Sequence, residues 1–283
     1  MEMVAAARLR RAEQRIAAMR PYAQSIRRMT RQVAEAAEGK IQRVALLEDR
    51  PDPKRVGILL VTGDRGLAGA FNTNIIREGL RLKREFADAG TEVGFSAVGR
   101  RGNSTLSFRG ESVDAAYVGF TDRPAFANAR EISRGLTTPF IDGDLDRVEI
   151  VYNRYVSPLT QYVRRQTLLP LQEAEVFGEG VTETEEAHDP ELAEAHRRAR
   201  WDYEPEPEEL LPILFEEYVD LSVFRALLES AASEHGARMT AMRNAAENAQ
   251  EMIGDLTLEM NRARQAEITQ EILEVVAGAE ALG

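Results

Sequence analysis

Stepping alternately by four and three residues from Leu228 lands on Ala232, His235, Met239, Met242, Ala246, Ala249, Ile253, Leu256, Met260 and Ala263. Every stop but His235 is apolar, four are alanines, and no proline follows Pro212. That period marks the narrow seam of a coiled coil, not the wider stripe of a helix lying on a globule. The same steps from Ala5 land on Leu9, Ala12, Ile16, Met19, Ala23, Ile26, Thr30, Val33 and Ala37. Matching seams at the two ends, separated by a long middle of different character, predict an antiparallel two-helix shaft with a domain inserted between its strands.

The first helix is expected over 3–47, bent at Pro21, because a mid-helix proline removes a backbone bond while the seam resumes in phase after it. The stretch Asp49–Pro53 stops it. Short apolar runs then alternate with helical segments. Strands are expected at Arg55–Thr62, Glu92–Val98, Val113–Phe120, Arg147–Val156 and Tyr162–Leu169. Helices are expected at Ala68–Ala89 and Pro124–Thr138, with Pro124 in the first turn, and a short helix or loop at 100–109. This alternation predicts a doubly wound (Rossmann-like) α/β domain, its sheet mostly parallel with an antiparallel edge. The expected division is 1–50 for the first helix, 54–172 for the α/β domain, 173–204 for an acidic exposed loop and 205–283 for the last helix. A helix over Glu208–Ala281 would run roughly 110 Å. Most of it must therefore project beyond so small a domain.

Composition narrows the function. The chain has no cysteine, which excludes disulfides and thiolate chemistry. It has no apolar run long enough to span a bilayer, and cytoplasm-facing placement is the default. A net charge of -11 argues against a nucleic-acid binder. The charge is uneven, however. Residues 1–31 carry eight arginines against Glu2 and Glu13, while 173–191 carry eight acids and no base. A basic helix on an acidic protein suits an acidic partner surface, or a solvated face.

Candidate chemistry is sparse. Gly63–Gly69 (GDRGLAG) follows a strand and opens a helix, where phosphate loops sit. It matches neither phosphate-loop pattern and brings no lysine, so a tight turn needing its glycines is the favoured reading over a nucleotide site. His188 and His196, in the acidic stretch, have poor metal-ligand spacing. His235 falls on the seam, where a polar residue more often sets register than binds a ligand. No cofactor, metal or catalytic residue is expected.

Longer motifs carry more. The segment Ile268–Ala281 (ITQEILEVVAGAEA) resembles the C-terminal signature of the F-type ATP synthase γ subunit. Asn261–Ala266 (NRARQA) and the ARM-x-AM stretch Ala237–Met242 are similar to that family's sequence just upstream. Met3–Arg11, Arg20-Pro21-Tyr22, Asp64–Asn72, Tyr152-Asn153 and Trp201–Pro205 also fit, in order, along nearly the whole chain.

The resemblance implies a non-catalytic rotor shaft, turning inside a ring of three α and three β subunits. It couples proton flow through the membrane rotor ring of c subunits to ATP synthesis on β. Its α/β domain would sit near that ring beside the ε subunit, peripheral to the cell membrane on the cytoplasmic side. The resemblance also implies that Arg264 and Gln265 contact a β loop, and that Met3, with Arg8, Arg10 and Arg11, faces an acidic loop of β. The family carries about twenty residues before the MVAAA segment, and this chain starts almost at that motif. Met252–Met260 are accordingly expected to lack a seam partner. Two rival readings remain: a soluble α/β enzyme binding a nucleotide at Gly63–Gly69, and a coiled-coil scaffold whose termini pair between chains.

Overall fold

The computed structural model describes residues 1–37, 44–172 and 203–280. Helix α1 spans Glu2–Ala36. It is followed by β1 (Arg55–Val61), α2 (Phe71–Asp88), β2 (Glu92–Val98), α3 (Arg100–Phe108), β3 (Val113–Tyr117), α4 (Phe126–Ile141), β4 (Arg147–Tyr155) and β5 (Gln161–Leu169). The last element, α5, spans Pro207–Glu280 in one 74-residue helix.

The strands form one sheet in the order β3-β2-β1-β4-β5. The first four are mutually parallel, and β5 is antiparallel to β4. β1 and β4 read as near-continuous apolar runs because helices cover both faces of the sheet. On one face Leu59, Val61, Ile150 and Tyr152 pack against Ile132, Leu136 and Phe140 of α4 and Phe215, Val219 and Val223 of α5. On the other, Val56, Ile58, Leu60 and Val151 pack against Phe71, Ile75 and Leu82 of α2 and Leu106 of α3. A Cβ at Gly79 would lie 2.5 Å from Leu60 Cδ2, so any side chain there would push α2 off the sheet.

The sheet and its antiparallel edge match the expectation, and several boundaries move for local reasons. α1 runs unbroken through Pro21 but ends at Ala36, short of 47; residues 45–47 form a 3-10 turn. The carbonyl of Leu46 in that turn accepts the Leu171 N–H at 2.8 Å, tying the exit of β5 beneath the shaft. α2 begins at Phe71 instead of Ala68 because Leu67 and Gly69 adopt φ of 62° and 56°, which no right-handed helix accommodates. Pro124 lies outside α4, not in its first turn. Ala125 is the N-cap, and its N–H donates to Asn128 Oδ1 at 2.9 Å. α4 also continues past Pro139 to Ile141, since a proline in the last turn forfeits only one backbone bond. The expected acidic loop, with His188 and His196, lies outside the described residues apart from its last two positions.

Candidate functional site

The two seams meet. Ala5, Leu9, Ala12, Met19, Ile26, Thr30 and Val33, all predicted seam positions, are buried along one face of α1. Leu9 and Ala12 pack on Ala232, while Met19 and Ile26 pack on Leu221 and Leu228. Near one end Glu2 pairs with Arg243 at 2.8 Å; further along, Tyr22 donates to Glu217 at 2.7 Å. Partners fall in number on α5 as they rise on α1, so the pair is antiparallel. The α5 seam begins earlier than its predicted start at Leu228, reaching back to Leu221. It closes earlier too. Beyond Arg243 the stops are open, with Ile253, Leu256 and Met260 between 56% and 61% exposed. α5 is therefore two helices in one: a first half buried in the domain and against α1, and a bare second half.

The predicted contact residues divide accordingly. Arg264 and Gln265 are exposed on the bare half, and Met3, Arg10 and Arg11 are exposed on α1. Arg8 turns toward the domain, its side chain still 40% exposed, and forms an ion pair with Asp122 at 2.8 Å, which Arg65 also reaches at 3.3 Å.

That inward turn leads to a polar junction at the C-terminal ends of the parallel strands, where doubly wound sheets open their ligand crevice. Here α5 closes it. Ser230 Oγ donates to the Val61 carbonyl and Ser233 Oγ to that of Asn153, each at 3.2 Å. Glu234, 1% exposed, accepts from Arg238 Nη2 at 2.5 Å, and the same nitrogen donates to the Gly66 carbonyl at 3.2 Å. A Cβ at Gly63 would sit 2.8 Å from the Glu234 carboxyl carbon, so glycine is required there for close approach to α5, not to a ligand. The space left among Thr62, Thr121, Ser230 and Glu234 is about 10 Å³, room for at most one water.

The loop's own amides are also committed. Gly63 N–H donates to Asn72 Oδ1 at 2.8 Å and Asp64 N–H to Thr121 Oγ1 at 2.9 Å. The Asp64 carboxylate accepts the N–H of Arg100, at the start of α3, at 3.0 Å. It also accepts those of Gly119 at 2.9 Å and Thr121 at 3.2 Å. The N-terminus of α3, beside the loop, thus holds an anion of the chain's own. The glycine stretch is a structural turn, as favoured.

Electrostatics follow from this packing. Burial pushes the Asp64 carboxyl up, but the N–H groups of Gly119, Thr121 and Arg100 together outweigh it and hold it below the ordinary carboxylate value. Its contribution to stability is present above about pH 4 and is lost as pH falls through the folded value. Asp64→Ala is expected to cost about 1–3 kcal/mol at neutral pH, because it strands three N–H donors, and to flatten the loss of stability in acid. Urea unfolding at a series of pH values measures both. Burial pushes Glu234 up despite Arg238, and pushes the His235 imidazole down.

The Glu234–Arg238 pair and its Asp122 neighbourhood were not singled out from sequence. Their only signal was a glutamate four residues before an arginine, a spacing common on solvated helices. Among the described residues no cluster of three or more histidines or acids is placed to hold a metal, and no helix is long and apolar enough to cross a membrane.

An α/β domain clamped at its ligand edge onto a helical pair, one helix of which runs on bare, defines a stalk protein: a shaft with a built-in base. The family model described as ATP synthase matches residues 1–282. The chain is 41% identical over 283 residues to the ATP synthase gamma chain of Rubrobacter xylanophilus, covering all of this chain and 91% of that one. It is 38% identical to the ATP synthase gamma chain, sodium ion specific, of Acetobacterium woodii, covering 92% of that chain. Its fold is similar to a chain of the central stalk and c-ring of the Tetrahymena thermophila mitochondrial ATP synthase. There the TM-score is 0.61 and the identity 28%, over 87% of this chain and 97% of that one. The chain belongs to the ATP synthase γ chain family, and its role is that of the rotor shaft.

Proposed function

We propose that the half of α5 beyond Arg243 turns inside the α3β3 head, with Arg264 and Gln265 touching a β loop, while the α/β domain rides on the membrane rotor ring of c subunits beside ε. The observation that carries this reading is the reach of α5 beyond the domain, a 74-residue helix with Arg264 and Gln265 exposed on its outer half. A row of apolar side chains, each worth roughly 1.5–3 kcal/mol when buried, is stable in water only if another surface covers it during work. This half carries different side chains on each side, so it presents a different face to each of three surrounding subunits. A shaft of this kind acts as a ligand with unequal affinity for each β conformation, and turning it shifts the three sites in sequence. In this reading 1–50 and 205–283 form the shaft and 54–172 its base. Membrane association is indirect, through the ring, at the cytoplasmic face of the cell membrane.

Arginine offers a two-pronged contact to a carboxylate, and glutamine both donates and accepts. Met3, Arg10 and Arg11 face outward from α1 and suit an acidic loop of β. Arg8 belongs to this set only through its inward pair with Asp122. In a complex reconstituted from this chain with α and β subunits, Arg264→Ala with Gln265→Ala is expected to lower ATP hydrolysis on the order of tenfold. That corresponds to about 1.4 kcal/mol, close to the loss of one charge-assisted hydrogen bond. The melting temperature of the chain alone should not move. Unchanged hydrolysis in a fully assembled complex would count against the contact.

A further inference from the structure

His235 is 1% exposed and wedged between three elements. Its Nε2 lies 3.5 Å from the Asp122 carbonyl oxygen, and its Nδ1 lies 3.4 Å from Arg238 Nη1. Arginine can only donate and a carbonyl can only accept, so these neighbours specify one neutral tautomer, protonated on Nε2. The charged groups around the ring come from every packed element: Arg8 from α1, Asp64 and Arg65 from the β1–α2 loop, Asp122 from the β3–α4 loop, and Glu234 and Arg238 from α5 itself. Asp122 Oδ2 is taken by Arg8 and Arg65, but its Oδ1 is buried with no partner.

We propose that His235 is a proton-sensitive latch fastening α5 to the two loops at the ligand edge of the sheet. In the neutral state Nδ1 accepts from Arg238, and Arg238 holds the Gly66 carbonyl. A proton added at Nδ1 turns that acceptor into a donor aimed at a guanidinium, and places a third cation beside Arg238 and Arg8. The unpaired Oδ1 of Asp122 is the acceptor an imidazolium would turn toward, and turning takes the ring away from Arg238. The grip of α5 on the β1–α2 loop then loosens. Burial of the neutral ring fits this direction. A histidine depressed in the folded state contributes stability above its ordinary value near 6.5, and this is lost as pH falls through the folded value. Glu234, raised by burial, and Asp64, lowered, titrate at the same junction, so the test must isolate the histidine.

Hydrogen exchange of the 63–67 amides in the full chain, corrected for the intrinsic rate, reads the latch directly, alongside nitrogen NMR of the three imidazoles. From about pH 7.5 to about pH 5.5, opening of this loop is expected to rise about tenfold in the wild type, the limit set by an ordinary histidine excluded from the folded state. In His235→Gln, whose amide retains a donor and an acceptor, it should change less than twofold. An equal acid response in that variant would assign the effect to the carboxylates and overturn the proposal. If the variant does not fold, the wild-type spectrum decides alone. His235 held as the Nε2-protonated tautomer and titrating below His188 and His196 supports the latch. A His235 that titrates together with them refutes it.

Discussion

Replacing Arg238 with methionine is expected to destabilise the chain by about 3–5 kcal/mol, more than any surface change on the same helix. Glu234 is 1% exposed, and among the described residues its ion-pair partner is Arg238. Removing the arginine leaves a carboxylate buried against Gly63 with nothing to offset its desolvation. Loss of the bond to the Gly66 carbonyl adds to the effect. The double variant Glu234→Leu with Arg238→Met should recover most of that loss, since replacing both members of a buried pair by packed apolar groups is close to neutral or favourable. Chemical denaturation of the wild type and the two variants measures the difference. If Arg238→Met falls within about 0.5 kcal/mol of wild type, α5 does not close the sheet edge as described.

A contrast along α5 is the second large effect. Phe215 is fully buried between the sheet and α4, and Phe215→Ala is expected to cost about 3–5 kcal/mol through lost transfer energy and the cavity left behind. Leu256, of the same chemical kind and on the same helix, is 58% exposed, so Leu256→Ala should change the stability of the isolated chain by less than about 0.5 kcal/mol. Within the assembled complex the order of functional importance should reverse. Leu256 lies on the half proposed to turn inside the head, whereas Phe215 serves only to weld α5 to its base. Urea unfolding of the isolated variants tests the first half of this contrast, and hydrolysis by reconstituted complexes tests the second.

Several contacts weld α5 to its base. Arg130 of α4 reaches Asp220 at 3.2 Å and Glu217 at 3.5 Å, and Phe126 meets Phe224 edge to face at 5.5 Å. With the serine bonds to β1 and β4 and the grip of Arg238 on the β1–α2 loop, α5 is held from several sides. The helix and its base are therefore expected to move as one body.

How far this could be read beforehand depended on the kind of interaction. The seam of α1 was legible residue by residue, because coiled-coil packing repeats with a short period that any stretch of sequence displays. The strands β1, β2 and β4 were legible as apolar runs for a similar reason. Helix ends were less so. α2 starts late because of positive φ at Leu67, a residue whose side chain gives no hint of it. Arg8 looked like an outward basic residue and instead pairs with Asp122, 114 positions away.

Sequence alone therefore determined the paired seams, the α/β middle and the family, since each is written in local patterns or in an ordered set of motifs. Only the tertiary structure decided that α5 seals the edge where a ligand would bind, and that His235 faces Asp122 and Arg238. The physical reason is that periodicity is a property of neighbours along the chain. Register and closure instead arise from groups such as Arg238 and Gly66, 172 positions apart, which meet only once the whole core has packed.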